Sequence, residues 1–172
     1  MPKQLSSDQP IVERLHEADA EAFRELRLEG LNKHPEAFGA SWDEEASLPI
    51  SSFVKRLENS SVIGVRDAGR SLDGVVGFYV IKGAKQFHKG VLWGMYVRPE
   101  ARNIGIGRAL VQQVIAYAKP LVEELRLTVA SSNAVACRLY SQAGFERYGV
   151  EPRALKVGGN YLDEDLMALR LQ

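Results

Sequence analysis

The run Arg98-Pro99-Glu100-Ala101-Arg102-Asn103-Ile104-Gly105-Ile106-Gly107-Arg108-Ala109-Leu110 carries the residues best suited to chemistry. An apolar strand enters a short loop punctuated by glycines, and the loop opens directly into a helix. Glycine lets backbone N–H groups approach an anion with no Cβ between, and the first-turn amides of a helix lack internal partners and carry the positive end of its dipole. The junction therefore reads as a phosphate cradle, with Arg102 and Arg108 adding cationic reach at either end. A dinucleotide fingerprint would need a third glycine after Gly107 and an acidic residue closing the next strand, whereas Glu123 and Glu124 precede that strand. A Walker-type nucleotide loop fails for want of Gly-Lys-Ser/Thr.

The other reactive side chains are dispersed. His16, His34 and His88 have no ligand spacing among themselves or to Cys137, so no metal site is expected. His88 precedes a strand and reads as surface loop. Cys137 has no neighbour in sequence that would depress its pKa, and it reads as a small packing thiol. Trp93 is expected in the core, while Trp42, beside an acidic and irregular segment, could either wall a pocket or fill core.

A chain of 172 residues is long enough to bury a full core without disulfides or metals. Lys plus Arg and Asp plus Glu balance at 22 each with no basic block, so neither nucleic acid nor an anionic membrane is expected as a partner. The stretch Met1 to Pro10 is polar, no apolar run approaches the length of a membrane span, and one cysteine excludes an internal disulfide framework. A cytoplasmic location is the expectation. Asn59-Ser60-Ser61 fits a glycosylation sequon that has no meaning without secretion.

The elements that must hold the loop follow from periodicity. Ile11 to Leu15 reads as a first strand, and Asp19 caps a helix with Phe23, Leu26, Gly30 and Leu31 near one face until Pro35 closes or bends it. Glu36 to Glu45 reads as irregular, and a second helix spans about Ile50 to Glu58. Val62 to Arg66, Gly74 to Lys82 and Gly90 to Arg98 form an antiparallel meander, separated by turn signals at Asp67-Ala68-Gly69 and Gly83-Ala84-Lys85. Leu110, Val111, Val114, Ile115 and Ala118 make a helical stripe ended by Pro120, and Leu125, Leu127 and Val129 alternate in the next strand, so the crossover gives a parallel pair. A further helix starts at Asn133, carries Val135, Ala136, Leu139 and Ala143 inward, and ends at Gly144 as a left-handed cap. Phe145 to Tyr148 and Leu162 to Leu171 supply a last hairpin, with Arg153 to Tyr161 as its connection.

The strand ending Met95-Tyr96-Val97-Arg98-Pro99-Glu100, the Arg102-x-x-Gly105-x-Gly107 loop and Asn133-x-x-Ala136-x-x-Leu139-Tyr140-x-x-x-Gly144-Phe145 together resemble the GNAT superfamily of N-acetyltransferases. The motifs cover about Leu92 to Phe145, and the order of elements outside them is similar. The resemblance implies an α/β fold of mixed α+β type, a single N-acetyltransferase domain over 1–172, with about seven strands in a mixed, mostly antiparallel sheet and about four flanking helices.

It also implies acetyl-CoA as cosubstrate and no metal. The diphosphate would meet the backbone amides of Arg102, Asn103, Ile104, Gly105, Ile106, Gly107 and Arg108, and the backbone of Met95 and Val97 would meet pantetheine and thioester between splayed strands. Asn133 would contact the cofactor, and Tyr140 would lie near its sulfur as the catalytic acid. Asn103 and Ile104 depart from the family's common glycine and basic or amide residue; Asn tolerates the left-handed region, whereas Ile104 brings no charge.

The activity implied is transfer of an acetyl group to a primary amine, of a small molecule, by direct attack in a ternary complex. A protein N-terminal or lysine acetyltransferase and a non-catalytic acyl-CoA-binding module are the alternatives. Some family members use a glutamate on the fourth strand, but Val91 stands at the approximate counterpart and no carboxylate lies between His88 and Arg98. A water chain, or Glu36 or Glu44, would then remove the proton. The family's acceptor segments correspond to Leu31 to Glu45 and Arg153 to Asp165, where Glu36, Asp43, Glu44, Glu45, Asp163 and Glu164 either suit a cationic amine or form a solvated acidic face. Members often pair through sheet edges or final strands, so a homodimer is preferred over other assemblies.

Overall fold

A computed structural model describes residues 10–67 and 71–171. The expected polar N-terminus and the Ala68-Gly69 part of the first turn signal lie outside the described residues, save for Pro10. Strand β1 (Ile11–Arg14) leads through a one-turn 3-10 helix into α1 (Ala20–Lys33), followed by α2 (Trp42–Ala46) and α3 (Ile50–Asn59). The meander β2 (Ser61–Arg66), β3 (Leu72–Val80) and β4 (Lys89–Val97) comes next, then α4 (Ile106–Ala118), β5 (Glu124–Ala130), α5 (Ala134–Gln142), β6 (Glu146–Val157) and β7 (Asn160–Arg170).

The strands form one seven-stranded sheet in the order β1-β2-β3-β4-β5-β7-β6. Every neighbouring pair is antiparallel except β4 and β5, which run parallel as the crossover through α4 requires. Alternation along the strands sends side chains to two cores. Val76, Phe78, Leu92, Leu125 and Leu127 pack against Leu110, Val111 and Val114 of α4, while Val62, Val75 and Tyr96 pack against Phe23 and Leu26 of α1 and Phe53 and Leu57 of α3.

Four expectations need correction. Asp19 sits at the N-terminus of α1, but its carboxylate accepts from the His16 amide at 2.8 Å and pairs with Arg66, so it braces β2 and does not cap the helix. The segment read as irregular holds α2, closed by a capping box in which the Glu44 amide donates to Ser41 Oγ and the Ser41 amide to Glu44 Oε2. Val135 is 81% exposed, because it is Ala136, Cys137, Leu139 and Tyr140 of that helix, with Ala143 just after it, that turn toward the sheet. The supposed Arg153 to Tyr161 connection is strand: β6 and β7 pair from Glu146↔Ala168 to Val157↔Asn160, and Gly158 and Gly159, both at positive φ, make the turn.

The meander contains one tight contact that matters for the site. A Cβ at Gly77 would lie 2.2 Å from Cε2 and 2.5 Å from Nε1 of Trp93, which is paired directly opposite on β4. The indole thus lies flat over Gly77 on the α1 face of the sheet. Gly77→Ala must displace it, and the substitution is expected to lower stability by about 1–3 kcal/mol in a denaturant melt; an unchanged midpoint would mean that the ring is free to move aside.

Candidate active site

Between β4 and β5 the hydrogen-bonded register covers only Lys89↔Glu124, Gly90↔Leu125 and Val91↔Arg126. Past Val91 the two strands part, although β4 runs on to Val97 and β5 to Ala130. A bulge in β4 accompanies the parting. Its register with β3 passes from Gly77↔Trp93 to Val75↔Tyr96, so Gly94 and Met95 together face Val76, and Gly94 takes φ +64° to make the extra step. The backbone of Leu92 to Val97 is left without a β5 partner along that edge.

The gap runs toward the glycine loop. Asn103 at φ 63° and Gly105 at φ 88° both adopt the left-handed region, so Asn103 takes a backbone conformation that glycine more often supplies. The first α4 amide to reach a backbone carbonyl is that of Ala109, which donates to Gly105 at 3.0 Å; the amides of Ile106, Gly107 and Arg108 ahead of it point out of the helix end. A Cβ at Gly107 would approach Leu139 Cδ2 to 3.3 Å and Met95 Cε to 3.5 Å, so α4, α5 and β4 converge there. From that point a groove of about 330 Å³ runs between α4 and α5, lined by Arg108, Val111, Gln112, Leu139, Gln142 and Ala143. Its two glutamines, Gln112 and Gln142, were not singled out from the sequence, since nothing in their spacing sets them apart from an ordinary helix surface.

The remaining expected residues fall into distinct places. Ile104 stands at the loop tip, 69% exposed. Arg102 folds back: its Nε donates to the Val97 carbonyl at 2.9 Å, its Nη2 lies 3.3 Å from His34 Nε2, and its guanidinium sits 5.9 Å from the Tyr96 ring centre. Asn133 caps α5, its Oδ1 accepting from the Ala136 amide at 3.2 Å. Tyr140 is buried with its ring edge-on to Phe145, and burial, aided by the neighbouring Cys137, pushes its phenol above the ordinary value, so it stays protonated. Cys137 itself is held as a thiol by burial and by Asp165, whose Oδ2 is 4.0 Å from its sulfur. Among the described residues no three His, Cys, Asp or Glu side chains gather as a metal site, and no helix is long and apolar enough to cross a membrane.

The acidic residues of the expected acceptor segments prove unequal. Glu44 is engaged in the α2 cap, Glu36 sits 3.4 Å from His34 Nδ1, and Asp163 accepts from the Arg153 amide at 2.8 Å. Glu45 is buried, gripped by Arg27 at 3.1 and 2.9 Å and by Arg56 at 2.9 Å. Glu164, paired with Ala130 at the end of β5 and facing Glu151 on β6, has its carboxyl pushed up by burial and by Glu151 against a hydrogen bond from Thr128. The short Pro35–Ala37 turn after α1 reaches β5 and β6 and so crosses the gap on the α1 side. Trp42 is 44% exposed on the outer side of α1, where a second pocket is lined by Glu21, Glu25, Glu29 and Trp42.

A family model described as the Acetyltransferase (GNAT) family matches residues 13–145. The chain belongs to the GNAT acetyltransferase family. Its fold is that of the GNAT acetyltransferase from Streptococcus pneumoniae, at TM-score 0.84 and 20% identity over 95% of this chain and 100% of that one. It is also similar in fold to yncA, a putative acetyltransferase from Salmonella typhimurium with its cofactor acetyl-CoA, at TM-score 0.80 and 20% identity over 96% and 95% of the two chains. The ribosomal-protein-alanine N-acetyltransferase from Brucella melitensis superposes at TM-score 0.80 with 24% identity, over 94% of this chain and 99% of that one. A curated relative, the UPF0157 protein YqkA of Bacillus subtilis (strain 168), is 37% identical over 68 residues, which are 40% of this chain and 20% of that protein. The match thus spans about a fifth of that relative's length.

The buried ion cluster beside the gap makes stability depend on pH. Burial opposes ionisation of Glu45, but hydrogen bonds from Arg27 and Arg56 outweigh it and hold the carboxyl below its ordinary range. A carboxyl depressed in the folded state stabilises it above the unfolded value near ~4.3, and that contribution is lost as pH falls through the folded value. Glu45→Gln is expected to cost about 3–5 kcal/mol at neutral pH, as breaking a buried pair does, and to flatten the acid limb of a stability profile. An unaltered acid limb would show that Glu45 is not the group responsible.

Proposed function

We propose that this chain transfers the acetyl group of acetyl-CoA to the primary amine of a small molecule by direct attack within a ternary complex. The observation that carries the reading is the convergence at Gly107 of Met95, on the β4 edge that lacks a β5 partner, and Leu139, in the wall of the α4–α5 groove, beside the outward-pointing amides at the start of α4. These residues fit the cosubstrate: left-handed Asn103 and Gly105 open the loop backbone, and Gly107 leaves a surface that a side chain would fill. Acetyl-CoA supplies an activated acetyl thioester whose departing thiolate must be protonated.

In this reading the amides of Ile106, Gly107 and Arg108 hold the diphosphate, Arg108 adds charge from the groove wall, and the unpaired edge of Met95 and Val97 orients pantetheine. Arg102 must release the Val97 carbonyl for that edge to be fully available. Tyr140 holds a proton on Oη that burial keeps in place, and we assign it the role of proton donor to the departing thiolate. Glu44, tied into the α2 cap, is a poor base. Glu164 is the carboxylate on the acceptor face whose surroundings favour accepting a proton, and we assign it the role of base. The Pro35–Ala37 turn across the gap favours a compact acceptor over a peptide.

Acetyl-CoA is expected to raise the thermal midpoint, by about 2.7 kcal/mol of stabilisation at a hundred times its dissociation constant, while NAD and ATP shift it far less; equal shifts with NAD would favour a dinucleotide-binding protein. Tyr140→Phe keeps the ring and removes the hydroxyl, so acetyl-CoA binding should persist while turnover falls roughly 10²–10⁴-fold. Turnover at the wild-type rate, with chemistry limiting, would remove Tyr140 from the mechanism.

A further inference from the structure

The α1 face of the gap holds a buried charge that acetyl transfer by itself does not need. Arg27 is 8% exposed, and its Nε and Nη2 grip both oxygens of Glu45, which is 4% exposed. Arg56 shares the same carboxylate through Nη1. Two guanidiniums on one carboxylate leave a positive charge in excess, in surroundings where an uncompensated charge is costly. Arg24 stands apart from this pair: it donates to the Ala46 carbonyl, stacks near the Phe53 ring, and lines the outer pocket with Glu21, Glu25 and Glu29.

The excess is aimed at the site. Pairing with Glu45 occupies two of the three guanidinium nitrogens of Arg27, and the third, Nη1, faces the β4 bulge, where it would lie 3.2 Å from a Cβ on Gly94. The absence of that Cβ lets the cation approach the strand at the place where β4 leaves β5. Phe38 and Trp93 flank the guanidinium, with ring centres 5.2 and 5.7 Å from its Cζ, and hold its plane. A planar cation locked by a bidentate partner and left with a free edge is well suited to an oxyanion. Across the gap, Glu164 and Glu151 face each other on β7 and β6, like charges that a cation between them would relieve.

We propose that Arg27 determines acceptor specificity by binding a carboxylate carried beside the reacting amine, so that the acceptor is an amino acid or a close analogue. This rests on the acetyl-transfer reading and narrows it. The carboxylate accepts from Arg27 Nη1 at the β4 bulge, and the ammonium lies toward Glu164. The apparent acidity of the acceptor segments is therefore misleading about the acceptor's charge: their most buried carboxylate, Glu45, serves to hold a cation.

The test compares each ordinary amino acid with its α-amide in a thiol-release assay with acetyl-CoA. For the amino acids accepted, wild-type kcat/KM is expected to favour the carboxylate at least about tenfold, because a buried donor left unpaired by the amide penalises it. Arg27→Lys keeps charge against Glu45 and loses the fork, so the preference should fall toward unity with acetyl-CoA affinity retained. A wild-type preference for amides or for amines without a carboxylate would overturn the proposal without any variant, as would a preference unchanged in a folded Arg27→Lys. Calorimetry with CoA and N-acetylated amino acids separates this from failure of the catalytic reading. Carboxylate-dependent binding without turnover would sustain Arg27's role and refute the enzyme; turnover of amines with no carboxylate-dependent binding would do the reverse.

Discussion

The left-handed backbone at Gly94 is the constraint on which the site depends. It adds one residue to β4 against β3, and the bulged strand bends away from β5 after three paired residues. A sheet that closed along this edge would satisfy the backbone of Leu92 to Val97 internally and leave no slot between α4 and α5 leading to the α1 face. The open edge carries a cost in unmade hydrogen bonds, which β3 on one side and the β5–β7–β6 hairpin on the other offset by long antiparallel pairing.

The same bulge links the two halves of the site. Without a Cβ at position 94, Arg27 reaches the strand, and Trp93 can lie over Gly77 and flank the guanidinium. Glu45 from α2 then completes an ion cluster that ties α1, α2 and α3 together beneath the gap. Tyr96, one step further along, donates to Glu29 on α1 at 3.0 Å, and burial together with that carboxylate pushes its phenol up to about 12. Helices α1 to α3 and strand β4 are thereby fixed to one another through polar contacts whose geometry is strict, where apolar packing alone would tolerate sliding.

Much of this was legible in the residues. Gly105 and Gly107 ahead of an apolar stripe mark the cradle, Asn103 keeps the turn by the same left-handed tolerance glycine has, and the β2–β4 meander follows from alternation. The Ser41-x-x-Glu44 capping box was present in the sequence and would have revealed α2. Val135 misled because a nine-residue helix offers too few turns to fix its buried face by periodicity. The length of β6 was hidden by Pro152 and by Arg153 at φ 55°, which read as loop but form a bulge within the hairpin. The Arg27–Glu45 pair, 18 residues apart on two helices, has no local signature. Only packing brings it under the gap, and for that reason the acidic segments read from sequence alone either as suiting a cationic amine or as a solvated acidic face.

The central claim is that the open β4 edge and the start of α4 form one acetyl-CoA site. Amide hydrogen exchange with and without acetyl-CoA tests it at residue level. Slowed exchange is predicted at Met95 or Val97 and at the Ile106 to Arg108 amides together, since pantetheine and diphosphate would engage both at once. Protection at the loop alone, with the β4 edge exchanging as before, would contradict it by showing that the gap between β4 and β5 does not receive the thioester arm.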